Sequence, residues 1–249
     1  MSGHSKWSTI KRKKGAADAK RSKMFSKIVK DITIAVRDGG SDPDSNPRLR
    51  LAITNAKGVS MPKDNITRAI KKGDDNDASN YEELTYEGYA PHGIAIFLEC
   101  TTDNTQRTVA NVRAIFNKYA GSLGKNGSLS FIFDRKGIFN FDLGGHDIED
   151  LELELIDAGA EDIELEENHV TITTAMEDFG TMMKKLDDMN IEPESAELQR
   201  IPVTTEKLDV NTAIKVLKLI DIFEEDDDVA NVYHNLEMTD ELEQALANE

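Results

Sequence analysis

The residues with the clearest chemical potential lie near the start of the chain, where basic side chains surround the single tryptophan. Five of the nine residues from position 6 to position 14 are basic: Lys6, Lys11, Arg12, Lys13 and Lys14. A cationic arm suits a nucleic-acid backbone, because each contact with a phosphate releases counterions. Trp7 either stacks on a base or ribose or packs the arm onto the helices behind it. His4 could add a phosphate contact. The alternative interpretation of the whole arm is a charged segment that is solvated and binds no partner.

Further basic candidates follow on predicted helices. Met24, Ile28 and Ile32 belong to an apolar stripe with three- and four-residue spacing, which predicts a helix that begins at Asp18 and ends at Gly39-Gly40. Several basic residues project to the opposite side of this helix, and others end the third predicted helix. The candidates that extend the nucleic-acid surface are Lys20, Arg21, Lys23, Lys27, Lys30, Arg68, Lys71 and Lys72.

The best polar cluster outside this region is Asp103, Asn104, Arg107 and Thr108. Asp103 could cap the following helix and pair with Arg107, which is a complete structural account. The alternative is that Arg107 faces RNA at the tip of a sheet, so it joins the candidate nucleic-acid-binding residues. An enzyme built around Asp103 and Arg107 has no other support, because no nucleophile stands with a base and an orienting group. We therefore predict no catalytic residues and no enzyme.

Metal and cofactor sites are not predicted either. The five histidines lack metal-ligand spacing: His4, His92, His146, His169 and His234. The acidic run from Glu224 to Asp228 lacks the spacing of a calcium loop, and it is interpreted as a solvated loop. The chain contains neither a P-loop motif nor a dinucleotide-binding glycine motif. Cys100 ends an apolar strand and is interpreted as a buried structural thiol.

The charge distribution divides the chain into a basic head and an acidic body. The net charge of −17 argues against a nucleic-acid partner when it is taken alone. Residues 1–72, however, hold 18 Lys and Arg but only 6 acids, whereas the other 177 residues hold 12 bases and 41 acids. The two parts therefore carry +12 and −29, and the head is the candidate binding surface. The single cysteine, the lack of an 18-residue apolar run and the lack of a signal peptide favour a cytoplasmic protein without a membrane partner.

The elements that position these residues fall into an α+β pattern. Asn46-Pro47 begins a second helix that Gly58 closes, and a third helix runs from near Pro62 to Gly73, which gives a three-helix bundle. The body begins with a hairpin of strands 84–89 and 94–100, followed by helix 105–119 and a strand at 129–133. Residues 121–127 are interpreted as a flexible link because they contain three glycines. A final helix at 210–223 precedes a strand at 229–236.

Residues 136–203 show the order βαββαβ, which is the ferredoxin-like pattern. We therefore predict three domains: 1–73 as the basic arm and helical bundle, 80–134 with 204–240 as a discontinuous α+β domain, and 135–203 as an inserted ferredoxin-like domain. The fold class is thus an N-terminal three-helix domain plus two α/β sheet domains. The pattern of elements alone also allows two consecutive domains.

The sequence contains several long motifs: Gly3-His4-Ser5-Lys6-Trp7, Lys14-Gly15, Phe25-Ser26-Lys27, the stretch from Met61 to Gly73, Thr102-Asp103-Asn104 with Arg107-Thr108, Gly121-Ser122-Leu123-Gly124, and the stretch from Gly127 to Phe133. Together these motifs resemble the YebC/PmpR family. The resemblance covers nearly the whole chain. It implies three domains, a non-enzymatic nucleic-acid-binding role and, for bacterial members, a cytoplasmic location. It also implies one of two roles, since most members are labelled transcriptional regulators and others act in translation at the ribosome.

The expected function is therefore a non-enzymatic regulator of gene expression that contacts phosphates through its basic head. DNA binding in transcription regulation follows the family label, whereas the lysine-rich surface favours structured RNA in translation. The expected partners are DNA or ribosomal RNA, together with the transcription machinery or the ribosome. A protein-interaction scaffold whose acidic body binds basic partners is a further alternative.

Overall fold

Helices come first along the chain. In the computed structural model, which describes residues 17–75 and 81–247, α1 spans Ala17–Gly39, α2 spans Pro47–Gly58 and α3 spans Lys63–Asp74. The predicted start of α2 is confirmed, because the Asn46 side chain accepts a hydrogen bond from the Leu49 amide at 3.0 Å. The same side chain donates to the carbonyl oxygens of Ala35 and Gly40 at 2.7 and 2.8 Å. One buried amide thus caps α2 and joins it to the end of α1.

The first sheet has four strands in the order β3-β1-β2-β8. They are β1 (Glu82–Tyr89), β2 (Ala95–Thr102), β3 (Ser122–Leu123) and β8 (Val229–His234), and the predicted hairpin of β1 and β2 is confirmed. One core contains buried side chains of β2 and of three helices, α4 (Thr105–Lys118), α7 (Val210–Glu225) and α8 (Asp240–Ala247). A second, smaller cluster contains Phe97, Leu129, Phe133 and Tyr233.

The second sheet has the strand order β5-β6-β4-β7. Its strands are β4 (Phe133–Asp142), β5 (Ala160–Glu166), β6 (His169–Ala175) and β7 (Ser195–Pro202), with helices α5 (Ile148–Asp157) and α6 (Phe179–Asp188) between them. The chain order βαββαβ confirms the ferredoxin-like prediction. The α+β fold class is confirmed as well.

The described residues divide into two compact units. The first contains residues 17–27, 81–134 and 201–247, and the second contains residues 28–75 and 135–200. Within the second unit, the Asn55 side chain donates to the Ala196 carbonyl oxygen at 3.1 Å and accepts from its amide at 3.0 Å, which attaches α2 to β7. The division into three domains with the boundaries given above stays a prediction.

The strand predicted at residues 129–133 is wrong. Residues 127–132 form turns, and β4 begins at Phe133. The buried Glu87 carboxylate explains the difference, because it accepts hydrogen bonds from the amides of Gly127 and Leu129 at 2.7 and 2.6 Å. These bonds satisfy backbone groups that a strand would use. The preceding segment, residues 121–127, is not the flexible link that was predicted, because Ser122 and Leu123 form β3, which pairs with β1. A Cβ at Gly121 would lie 2.7 Å from the Tyr89 carbonyl oxygen, so the segment also packs closely.

No helix in the described part of the chain combines the length and the apolar character that a membrane crossing requires.

Candidate nucleic-acid interface

Helix α3 presents the most regular basic surface among the described residues. Ile66, Ala69 and Gly73 are buried, which turns Arg68, Lys71 and Lys72 outward, where all three are exposed. Gly73 permits this packing, because a Cβ there would lie 2.7 Å from the Val36 Cβ of α1. Arg68 donates to the Asn65 side chain at 2.5 Å and to the Asp64 carbonyl oxygen at 3.2 Å, so its guanidinium is held along the helix. The geometry brings three of the predicted cations onto one outward face.

Two predicted phosphate ligands, Lys23 and Lys27, contact the protein itself. Their spacing of four residues places them on the same side of α1. Lys23 Nζ donates to the Glu225 carbonyl oxygen at 2.7 Å, and Lys27 Nζ donates to the Glu224 and Ala230 carbonyl oxygens at 3.4 and 3.1 Å. Carbonyl groups at the end of a helix lack intrahelical partners and carry partial negative charge, so the two ammonium groups stabilise the end of α7. This placement removes both lysines from the set best suited to bind phosphate.

The remaining candidates on α1 are in different environments. Arg21 is exposed, and its guanidinium carbon lies 5.4 Å from the centre of the Phe25 ring. Lys30 is half-buried. The side chain of Lys20 and all of the arm candidates lie outside the described residues; the latter are His4, Lys6, Trp7, Lys11, Arg12, Lys13 and Lys14.

Arg107 is held in an ion-pair network at the beginning of α4. Its Nη2 atom lies 2.9 Å from Asp103 Oδ1 and 2.8 Å from Asp228 Oδ1, and its Nε atom lies 3.0 Å from Asp228 Oδ2. The hydrogen bonds to Asp228 and then to Asp103 raise the pKa of the Arg107 guanidinium. The predicted pairing with Asp103 is therefore confirmed. The predicted cap is wrong, because the N-cap is Asn104, whose side chain accepts from the Arg107 amide at 3.0 Å.

Asp228 also corrects the interpretation of the acidic run as a wholly solvated loop. Its side chain is buried, and Thr108 Oγ1 donates to Asp228 Oδ2 at 2.9 Å. The Asp228 carbonyl oxygen accepts from the Thr101 amide at 2.8 Å. The last acid of the run thus connects α4 to β2, and the cluster of Asp103 and Arg107 is accounted for by structural contacts.

Cys100 is a buried thiol, as predicted. Burial, followed by the nearby charges of Asp226 and Asp228, raises its pKa to about 12, which keeps the thiol protonated and poorly nucleophilic near neutral pH. Across residues 17–75 and 81–247, no group of three or more His, Cys, Asp or Glu side chains is arranged to hold a metal ion.

The candidate set omitted exposed basic residues of α2 and α3. Lys63 lies at the start of α3 and is exposed, as are Arg48, Arg50 and Lys57. Lys57 pairs with Glu192 at 2.7 Å and Arg48 with Asp38 at 3.4 Å, so these two cations are partly neutralised. A helical projection of α3 alone could have found Lys63.

Comparison with known proteins gives matches along nearly the whole chain. Residues 5–76 match the family model described as the TACO1/YebC protein N-terminal domain, and residues 81–236 match the model described as the TACO1/YebC second and third domain. A protein of Amoebophilus asiaticus is 54% identical over 95% of this chain and 98% of its own length, and one of Geotalea uraniireducens is 51% identical over 97% and 98%. Both carry the name "Probable transcriptional regulatory protein".

A solved structure is similar as well. The crystal structure of a conserved hypothetical protein from Aquifex aeolicus matches with a TM-score of 0.79 and 41% identity. The match covers 90% of this chain and 93% of that protein.

Proposed function

The chain belongs to the TACO1/YebC family, and from this premise we propose that it is a nucleic-acid-binding regulator of gene expression that contacts DNA phosphates through its basic N-terminal part. The observation that carries the proposal is the charge of +12 in residues 1–72 of a chain whose net charge is −17. The names of the relatives support a regulatory role. The regular basic face of α3 supports the location of the binding surface.

The proposed role is non-enzymatic. In the polar cluster best suited to catalysis, the Arg107 guanidinium pairs with the carboxylates of Asp103 and Asp228. The Cys100 thiol is buried and protonated. Both groups therefore have structural explanations.

Structured RNA bound in a translation role is the second candidate. It is favoured by the lysine-rich composition of the head, where Lys6, Lys11 and the other cations suit contacts with the backbone of a structured RNA better than the reading of base edges in a DNA groove. The affinities of the full chain for a duplex DNA and for a structured RNA of the same length distinguish the DNA-binding role from the RNA-binding role. Crosslinking in cells, with the bound DNA and RNA sequenced separately, identifies the physiological ligand.

The test of the proposed surface is a salt series with the full chain and three variants. We expect Arg68→Gln/Lys71→Gln/Lys72→Gln to weaken binding to duplex DNA. The variant should also lower the magnitude of the negative slope of log K against log salt by up to about 2.7, since each lost phosphate contact removes about 0.9. Deletion of residues 1–16 should weaken binding further. The matched control, Lys207→Gln/Lys215→Gln/Lys218→Gln, removes the same charge from exposed positions of the body and should leave the slope unchanged. Salt-insensitive binding, or binding unaffected by the deletion, contradicts the proposal.

A further inference from the structure

One segment of the acidic body is free of acids. Residues 104–133 contain four bases, Arg107, Arg113, Lys118 and Lys125, and neither Asp nor Glu. The other 147 residues of the body contain 8 bases and 41 acids. A run of 30 residues without a carboxylate is therefore a local exception to the composition of the body, and most of it belongs to α4 and the turn that follows.

The packing of α4 determines which side chains face outward. Thr108, Val112 and Phe116 are buried, and the latter two belong to the core of the first unit. The opposite face carries two stripes with helical spacing, all of whose members are exposed: Gln106, Ala110, Arg113 and Asn117 in one stripe, and Asn111, Ala114 and Lys118 in the other. The outward face of α4 is thus composed of amides, two cations and two small residues.

Arg107 is also exposed on α4, but it is not counted among the cations of this face, because its guanidinium pairs with Asp103 and Asp228. Arg113 and Lys118 lie further along the helix and are exposed, with Lys118 Nζ 5.6 Å from the centre of the Tyr119 ring. The buried neighbours thus fix the helix, while the long side chains of Arg113 and Lys118 extend into solvent.

The other helices of the body within the described residues, α5 to α8, all carry acids, and α6 and α7 carry lysines beside them. Helix α5 carries five acids, Glu149, Asp150, Glu152, Glu154 and Asp157, and no base. Helix α4 has the same kind of amphipathic packing but the opposite charge. A helix face without carboxylates does not repel a polyanion, so this property of α4 suits contact with a nucleic acid.

We propose that the outward face of α4 is a second nucleic-acid contact surface, in which Arg113 and Lys118 bind phosphates and Gln106, Asn111 and Asn117 contact bases or sugars. Side-chain amides both donate and accept hydrogen bonds, which suits base edges and ribose hydroxyls. Ala110 and Ala114 leave room for a nucleic-acid strand to approach the helix backbone. The inference rests on the proposed function, and it adds a location outside the basic head.

The test compares three double variants of the full chain in the same salt series, with a duplex DNA and a structured RNA as the probes. Arg113→Gln/Lys118→Gln should reduce the slope of log K against log salt by about 1.8 on duplex DNA, which corresponds to two phosphate contacts. The control, Lys215→Gln/Lys218→Gln, removes the same charge from exposed positions of α7 in the same unit. It should leave the slope unchanged. Asn111→Ala/Asn117→Ala should weaken binding at every salt concentration without a change of slope.

The outcomes separate this inference from the proposed function. If the α4 pair behaves like the α7 control while deletion of residues 1–16 weakens binding, the second surface is wrong and the basic head stands. If the α4 pair lowers the slope while the deletion has no effect, the second surface stands and the proposed location in the head is wrong. If the wild-type chain binds neither probe, both are overturned. Thermal unfolding of each variant confirms that the compared proteins are folded, and the probe with the larger loss shows whether α4 contacts DNA or RNA.

Discussion

A carboxylate that is removed from water must have its charge and its lone pairs matched, and Asp228 meets this requirement with groups from α4. Its oxygens accept from the Arg107 guanidinium and the Thr108 hydroxyl, and its own carbonyl oxygen accepts from the Thr101 amide. The pairing of Arg107 with Asp103 was predictable, because the two residues are one helical turn apart. The contact with Asp228 was not, since 121 residues separate the partners in sequence.

At this scale we predict that Asp228→Asn lowers the free energy of unfolding by about 1–3 kcal/mol, because buried hydrogen bonds and the partner of a cation are lost. Arg107→Gln should also lower it. The double variant should lose less than the sum of the two single losses, since the interaction is already absent in either single variant. Chemical denaturation followed by circular dichroism measures the free energy of unfolding of the two single variants and the double variant.

The matched control is Arg113→Gln, which removes a cation from the exposed face of the same helix. It should change the free energy of unfolding by less than about 0.5 kcal/mol. Strictly additive losses for Arg107 and Asp228 would show that the ion pair is not energetically coupled.

At the scale of elements, helices and strands with strong periodicity were predictable, and a contact distant in sequence accounts for the strand that was wrongly predicted. Residues 129–133 contain four apolar residues and one serine, a composition typical of a buried strand, but the Glu87 carboxylate binds the backbone amides of Gly127 and Leu129. Helix α8 was missed, although Leu242 and Leu246 have helical spacing and are buried in the core of the first unit. The two-residue strand β3 is too short to show any periodicity.

The approach of α2 to β7 gives the prediction at this scale. A Cβ at Gly58 would overlap the carbonyl oxygen of Glu194, which is backbone and cannot rotate away. Gly58→Ala should therefore lower the free energy of unfolding by about 1–3 kcal/mol, as overpacking does. Gly180→Ala in α6 is the control, because a Cβ there meets nothing within 4 Å. This change should be neutral or stabilise the protein by up to about 1 kcal/mol, through the lower entropy of the unfolded chain. Equal unfolding midpoints for the two variants would show that α2 and β7 can separate without loss of stability.

For the whole molecule, the composition predicted two oppositely charged regions, but it could not show which individual cations are engaged by the protein. Lys23 and Lys27 differ from Lys71 in what lies beside them after folding: the end of α7 for the first two, together with β8 for Lys27, and solvent for the third. Sequence reasoning therefore located the charge of the head, but it could not show that Lys23 and Lys27 contact main-chain carbonyl oxygens of the protein. Burial similarly distinguishes Asp228 from the other acids of its run.

The opposite charges of head and body lead to a prediction about rates. Residues 147–167 contain 11 acids and no Lys or Arg, and this charge repels an approaching polyanion. Neutralising three exposed members with Glu152→Gln/Asp162→Asn/Glu166→Gln should raise the association rate constant with nucleic acid about twofold or more in 10 mM salt, where the Debye length is about 30 Å. The dissociation rate constant should stay the same, because these side chains are not in the proposed contact surfaces. Stopped-flow fluorescence in 10 mM and 500 mM salt measures both constants. A gain that persists in 500 mM salt, or one that appears in the dissociation rate, would place this acidic segment at the contact surface and contradict its assignment as a long-range repulsive charge.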